Sequence, residues 1–246
     1  MEKSKIKYRL TVTGIYFFIL LFSFNGFAQS KVDPGNITKE AERKIGAYYS
    51  ELFKIKTDNN GMVSIDGMVN TLFDKLRIGE LIAQVDGVLG INNNIIVDVE
   101  QIPDSEIKDN IENEFQLNNV ILEPEKIIVK VDHGAVSISG TVSYFREKLM
   151  AQSIASWQEG VVDLKSDIKV LPYKNAVSDD NLKSLIGDII NKHFSLEKKI
   201  SFKVENGIVE ISGSATSLYA KDHIQEEIMH LLGVKNVINN LGLIAG

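Results

Sequence analysis

Three sets of glycines recur with a constant spacing of 73 residues along this chain of 246 residues. Around them run the similar segments GMVSIDGMV, GAVSISGTV and GIVEISGSA, and each is followed by a stretch that ends in DGV, EGV or LGV. A register held over three passes is typical of one supersecondary unit used three times. A residue present in only one copy is therefore not expected to carry the chemistry of all three. The sets are Gly61, Gly134 and Gly207; Gly67, Gly140 and Gly213; and Gly87, Gly160 and Gly233.

The first 28 residues have the features of an export signal. Four basic residues between positions 3 and 9 precede an apolar stretch from Leu10 to Phe24, and Gly26, Phe27 and Ala28 have the small-x-small pattern of a cleavage site. We predict cleavage after Ala28 and a soluble periplasmic protein; an uncleaved N-terminal anchor is the alternative. The chain has no cysteine, so neither lipidation at the cut nor a disulfide framework is expected.

The charge balance argues against nucleic acid as a partner. The whole chain has a formal net charge of −6, and residues 1–28 contribute four basic side chains and one acidic one, so the mature chain is near −9. Binding to a phosphate backbone needs a basic face. No nucleic-acid partner is therefore expected.

The second repeat illustrates the expected order of elements. A helix start is indicated at Asp104, and Ile107, Ile111 and Phe115 recur at every fourth position as an apolar stripe. Alternating apolar and polar residues then flank a turn at residues 133–134, which predicts an antiparallel hairpin. The sister repeats carry Asn-Gly in this turn, a strong hairpin signal, although the turn of the first repeat needs one extra residue.

A second helix and a third strand complete the unit. Asn70, Ser143 and Thr216 are of N-cap type, and the helix of the second repeat is expected to run to Gly160. The strand after it should be parallel to the second hairpin strand, because a helix connects the two. We predict an α+β fold of three tandem αββαβ domains, each with two helices on one face of a three-stranded mixed sheet. The predicted domains are residues 37–100, 104–170 and 179–246, with links at Pro103 and Pro172.

This pattern of a G-x-V-x-I-x-G hairpin, a capped helix and a Gly-Val pair resembles the BON domain, named for bacterial osmotically induced and nodulation proteins. The resemblance implies a periplasmic αββαβ protein that binds phospholipid membranes or envelope partners without catalysis, in envelope maintenance or osmotic stress. It supplies no binding motif, so candidate sites come from the residues themselves. The matching residues are Gly61, Val63, Ile65, Gly67, Gly87 and Val88; Gly134, Val136, Ile138, Gly140, Gly160 and Val161; and Gly207, Val209, Ile211, Gly213, Gly233 and Val234.

The outward face of the second helix differs between the repeats. Where the sister repeats have Gln84 and His230, the second repeat has Trp157, the only tryptophan of the chain, with Met150 two turns before it. Trp157 can pack against a neighbouring repeat, contact a membrane or partner, or simply be exposed. The inward, core-facing positions of the same helices are Ile78 and Ile82, Ala151 and Ala155, and Ile224 and Ile228.

Basic residues on or beside this face would support a membrane contact. The lipid- or partner-binding site predicted from the sequence therefore consists of Arg146, Lys148, Met150 and Trp157.

Lys148 occupies the one charged position that all three repeats share, with Lys75 and Lys221. A lysine near a helix N-terminus can contact a lipid phosphate, or its stem can cover the sheet edge.

No metal, cofactor or catalytic site is predicted. His223 and His230 are seven residues apart, whereas ligand pairs on one helix are usually three or four apart; His133 and His193 lie elsewhere. Acidic pairs do not recur across the repeats or accompany a nucleophile and base. We therefore predict a non-enzymatic protein without a small-molecule substrate. Its expected partner is a phospholipid membrane surface or an envelope protein. A structural adaptor or chaperone-like component that makes only protein contacts is the alternative.

Overall fold

The computed structural model describes residues 33–46, 52–171, 177–194, 197 and 200–244. The predicted export signal at residues 1–28 and the predicted link at Pro172 lie outside the described residues. Within them, the α+β class and the three tandem αββαβ units are confirmed.

The elements of the three units follow the predicted order. The first unit contains α1 (Pro34–Ile45), β1 (Lys54–Thr57), β2 (Met62–Asp66), β3 (Met68–Val69), α2 (Leu72–Ala83), β4 (Gly90–Asn93) and β5 (Ile96–Val97). The second contains α3 (Asp104–Leu117), a 3-10 turn (Pro124–Lys126), β6 (Ile127–Asp132), β7 (Ala135–Val142), α4 (Phe145–Trp157) and β8 (Asp163–Val170). The third contains α5 (Asp179–His193), β9 (Ser201–Glu205), β10 (Ile208–Ala215), α6 (Leu218–Met229) and β11 (Asn236–Leu243).

Each unit has a three-stranded mixed sheet with the second hairpin strand in the middle. In the second unit, Val129 of β6 lies opposite Ile138 in the antiparallel pair, and Val136 of β7 lies opposite Leu164 in the parallel pair. The helix between the two parallel strands is α2, α4 or α6, which we call helix two of its unit. In the first unit, β3 and β5 continue the parallel pair beyond a break.

The hairpin turns have the backbone geometry that Asn-Gly signals predict. His133 and Asn206 have φ of 51° and 53°, and the glycines after them have φ of 75° and 76°. Two consecutive positive φ angles define a two-residue type I′ turn. The first unit has a longer turn, since Thr57 pairs with Val63, so its expected extra residue is confirmed.

The glycines of the 73-residue register meet each other across each unit. Val162 N donates to the carbonyl of Gly134 at 3.0 Å, and a Cβ built on Gly134 would lie only 2.6 Å from the carbonyl oxygen of Gly160. A hairpin turn and the end of helix two therefore approach each other too closely for any side chain. The same contact, at 2.5 Å, joins Gly61 with Gly87 and Gly207 with Gly233.

Helix two begins one residue later than predicted. The N-caps are Thr71, Tyr144 and Ser217 rather than Asn70, Ser143 and Thr216. In the third unit, the backbone N–H and hydroxyl of Thr216 both donate to Glu197, at 2.7 and 2.8 Å, so Ser217 caps the helix instead. The predicted end was also wrong: α4 ends at Trp157, and Gly160, with φ of 85°, lies in the turn that follows.

The core positions predicted from periodicity are buried. Ile107, Ile111 and Phe115 of α3 are buried, as are the six inward positions of the three second helices. The second and third units share one apolar cluster, and Leu72 at the start of α2 is part of it. Leu76 and Val97 of the first unit also pack against this shared cluster, whereas the other buried apolar residues of the first unit that belong to a cluster form one of their own.

An asparagine ties the last strand of two units to helix two. Asn93 Nδ2 donates to the carbonyl of Lys75 at 2.9 Å, and Asn239 Nδ2 donates to that of Lys221 at 2.8 Å. The equivalent residue of the second unit is Ser166. Its hydroxyl is buried and has no hydrogen-bond partner among the described residues. The shorter serine side chain therefore leaves this tie unmade in the second unit.

Gly207→Val is expected to destabilise the protein by about 1–3 kcal/mol, because a β-branched residue resists positive φ and its Cβ meets the Gly233 carbonyl. Chemical unfolding measures the change. Gly187→Ala is the control, since a Cβ there has no heavy atom within 4 Å and lies in a helix, where alanine is favoured. An unchanged free energy of unfolding for Gly207→Val would contradict the observed turn.

Ser166→Asn is expected to stabilise the protein by about 1 kcal/mol, because the longer amide can donate to the Lys148 carbonyl as its equivalents do in the sister units. Thermal unfolding measures the gain. The reciprocal change, Asn239→Ser, should lower the melting temperature by removing the bond to Lys221. A lower melting temperature for both variants would refute this explanation of Ser166.

Candidate functional site

The second helices of neighbouring units meet at their ends. At the start of α2, the ring of Phe73 lies 5.0 Å from the ring of Trp157 at the end of α4 (centroid to centroid), with a 54° angle between the planes. At the start of α4, Phe145 makes an edge contact with His230 after α6, at 5.2 Å. We call these the first and second junctions.

A third junction joins units that are not adjacent in sequence. At the start of α6, Leu218 N lies 3.4 Å from the carbonyl oxygen of Val88, in the turn after α2, and donates to it. In every junction, therefore, the start of one helix two meets the end of another. Since α2 also contacts both α4 and α6, the three second helices form a closed arrangement.

Trp157 contacts a neighbouring repeat and remains exposed. Its ring contacts the Phe73 ring, yet 65% of the residue's surface is accessible. Packing against a neighbouring repeat and exposure to solvent, two of the three interpretations left open by the sequence, therefore apply together. Met150 differs, because it is half-buried and packs against the shared core.

The two basic residues of the predicted site lie apart from Trp157. Arg146 is exposed, and its guanidinium lies 4.7 Å from the centre of the Tyr144 ring, at the second junction. Eleven residues along a helix separate Arg146 from Trp157 by about 16 Å. Lys148 is half-buried; burial lowers the pKa of its ammonium group, and the Asp167 carboxylate opposes this shift. The structure therefore does not bring the four predicted residues into one surface.

The lysine position shared by the repeats is half-buried in every unit. Lys221 Nζ donates to the carbonyl of Leu241 in β11 at 2.7 Å. Burial lowers the pKa of Lys75 and of Lys221 as it does that of Lys148. These contacts favour the interpretation in which the lysine stem covers the sheet.

A second exposed apolar surface escaped the sequence analysis. Met68 and Ile96 lie opposite each other in β3 and β5 and are 54% and 60% exposed. Leu52, whose carbonyl lies beside Gly67, is 55% exposed. We call these three residues the sheet patch. The sequence contained a signal for this patch, because the second and third repeats have the polar residues Thr141 and Ser214 at the position where the first repeat has Met68.

Three side chains near the hairpin turn of the second unit could in principle bind a cation. Possible ligand atoms of Asp104, Asp132 and His133 lie within 4.8 Å of one another. However, the two carboxylate oxygens of Asp104 accept the backbone N–H groups of His133 and Gly134 at 2.8 and 2.9 Å. Asp132 pairs with the His133 ring at 2.7 Å. The cluster is explained as a clamp that holds the hairpin turn against α3, and Asp179 does the same in the third unit.

One family model matches the chain three times. A model of the BON domain matches residues 35–98, 103–172 and 178–244. These ranges cover most of the chain, and each contains one αββαβ unit. The protein therefore belongs to the BON-domain family, as the resemblance implied.

Solved structures of secretion-system proteins align with the chain at low similarity. The C-terminal domain of CdsD, a structural protein of the type III secretion system of Chlamydia trachomatis, is 17% identical over 87% of this chain and 100% of its own, with a TM-score of 0.24. The PrgH periplasmic domain is 10% identical over 79% of this chain and 95% of its own, with a TM-score of 0.21. Comparison with curated proteins gives no match. Within the described part of the chain, no helix is both long and apolar enough to cross a membrane.

The Asp104 clamp should make stability depend on pH. The N–H groups of Gly134 and then His133 hold the pKa of this carboxyl below its usual value. A depressed pKa in the folded state stabilises the protein above the unfolded pKa, about 3.9, and this contribution is lost as the pH falls through the folded value. Asp104→Asn should therefore lower the free energy of unfolding at neutral pH and by less in acid. Urea unfolding from roughly pH 3 to 7 tests this, and two parallel curves would contradict it.

Proposed function

We propose that this chain is a non-enzymatic periplasmic protein that attaches to phospholipid surfaces of the envelope through the Phe73–Trp157 pair, in envelope maintenance under osmotic stress. Its membership in the BON family supports the non-catalytic assignment. The observation that carries the proposal is the 65% exposure of a tryptophan held by a neighbouring ring.

A fixed and exposed tryptophan suits an interfacial contact. Tryptophan combines a large apolar surface with one polar N–H, and it is favoured where one side of the ring is apolar and the other is wet. Because Phe73 already orients the Trp157 ring, binding would cost little further side-chain entropy. The pair also spans two units, so a contact there would involve both.

The charges around the pair indicate a short-range contact. Arg77 lies one turn after Phe73 and forms an ion pair with Glu80 at 3.2 Å. The mature chain is acidic overall, and Arg146 is distant from Trp157. Attachment at this pair would therefore depend on apolar burial more than on anionic lipid, and would change little with salt.

A second candidate function is that of an adaptor that makes only protein contacts. The sheet patch supports it, because Leu52, Met68 and Ile96 are exposed apolar residues, and the sister units have Thr141 and Ser214 in place of Met68. Under this alternative, Leu52, Met68 and Ile96 would contact an envelope protein, and vesicles would not affect Trp157.

The fluorescence of Trp157 separates the two functions. In buffer, its emission should be that of an exposed tryptophan, and adding phospholipid vesicles should shift it to shorter wavelength. Trp157→Ala should weaken co-sedimentation with vesicles roughly tenfold, since loss of about 60 Å² of buried apolar contact corresponds to about 1.5 kcal/mol. Leu117→Ala, at another exposed apolar residue, is the control.

The adaptor function would be favoured if vesicles left the emission unchanged and Trp157→Ala co-sedimented like the unaltered protein. Met68→Lys should then reduce capture of envelope proteins without changing the fold, as judged by circular dichroism.

A further inference from the structure

We propose that the second junction binds the head of a single anionic amphiphile, a molecule with a phosphate or carboxylate head and an aliphatic chain. The junction contains an open cleft of about 290 Å³ between the start of α4 and the turn after α6. Arg146 and His230 line it together. The site is separate from the Phe73–Trp157 pair and does not depend on membrane attachment there.

The three junctions provide an internal comparison. Arg146 is the repeat equivalent of Phe73, and His230 is the equivalent of Trp157, because each pair is 73 residues apart. At the first junction the two aromatic rings contact each other in a tilted arrangement. At the second junction the same two positions carry a cation and a histidine, which leave the cleft open and line it with basic groups.

The third junction lacks this combination. Its equivalent residues are Tyr219 and Gln84. Tyr219 stacks on His223 of its own helix at 5.1 Å, and Gln84 accepts a hydrogen bond from Lys44 at 3.3 Å. Among the described residues, the second junction is therefore the only one with basic side chains at both equivalent positions.

Arg146 carries a positive charge at the cleft. Its guanidinium carbon lies 4.7 Å from the centre of the Tyr144 ring, and a guanidinium group can bind a phosphate or carboxylate through paired N–H donors. Within the described part of the chain, no acidic side chain forms an ion pair with Arg146. Glu147, on the same turn, is 1% exposed, and its oxygens accept the N–H groups of Ser143, Tyr144 and Leu122.

His230 adds a second donor at the cleft. Its ring Nε2 lies 3.9 Å from Glu226 Oε1, which is longer than a hydrogen bond, and the ring edge contacts Phe145. An anion between Arg146 and His230 would therefore have two donors, with the Glu226 carboxylate as an acidic neighbour of His230.

The remaining lining explains why the ligand has a chain. Val170, Met229, Leu231 and Leu232 line the cleft beside the basic groups; Val170 and Met229 are already buried, and Leu232 is 49% exposed. A free inorganic anion would gain nothing from Leu231 and Leu232, whereas an aliphatic chain would cover their exposed surface. The cleft volume lies near the lower end for small-molecule sites, roughly 300 Å³, which suits a head group and the first part of a chain.

Titration calorimetry of the protein with dodecyl phosphate, below the concentration at which it forms micelles, tests the site. We expect saturable binding of one molecule per chain. Dodecyl maltoside, which has the same chain and a neutral head, should bind at least about tenfold more weakly. Inorganic phosphate should not bind over the same concentrations.

Variants assign the binding to the cleft. Arg146→Gln combined with His230→Gln should weaken dodecyl phosphate binding at least about tenfold, whereas Arg43→Gln, at another exposed arginine, on α1, should leave it unchanged. Arg146→Lys keeps the charge without the planar fork and should give an intermediate loss, which also tests the site if the double variant does not fold.

Three results would overturn the proposal. The first is equal affinity for dodecyl phosphate and dodecyl maltoside, and the second is equal affinity for dodecyl phosphate and inorganic phosphate. The third is unchanged dodecyl phosphate binding by a folded Arg146→Lys or double variant. Because dodecyl phosphate binding is measured without vesicles, failure here would leave the Phe73–Trp157 proposal standing, and unchanged vesicle binding by Trp157→Ala would leave this one standing.

Discussion

Each unit is organised around a contact between two backbone segments that has no room for a Cβ atom. The hairpin-turn glycine lies against the carbonyl of the glycine that follows helix two, as Gly134 does against Gly160. Both glycines also have positive φ, which the turn and the helix end require. This contact fixes where helix two ends relative to the sheet, and so it fixes which residues stand at that end.

The ends of helix two are where the units meet, and that is where the candidate functions are found. One geometry, used three times, places different side chains at equivalent points: an aromatic pair in contact at the first junction, and basic residues around an open cleft at the second. The repeats thus keep their glycines and core positions constant and vary the residues that face outward at the junctions. This division accounts for a single fold that offers two different surfaces.

The repeat pattern predicts most of the fold because its signals are local. Glycine spacing, the Ile107–Ile111–Phe115 stripe and the Asn-Gly turns each report on residues close in sequence, and each is confirmed in the structure. In the third unit the N-cap is shifted by one residue because Glu197, from the loop before β9, accepts the hydrogen bonds that Thr216 donates. The predicted site residues do not share one surface, for a related reason. Periodicity gives the face of a helix, whereas the contacts at its two ends depend on how other units pack against it.

The hydrogen bond that closes the three units into one body tests this account most directly. Leu218 and Val88 belong to the third and first units, far apart in sequence, and only the closed arrangement brings them together. Nuclear Overhauser spectroscopy of the labelled protein can detect their proximity. The account requires a cross-peak between the amide proton of Leu218 and protons of Val88 or Leu89. Absence of that cross-peak, in spectra that contain the expected cross-peaks within each unit, would mean that the units do not close and that the junctions do not exist in solution.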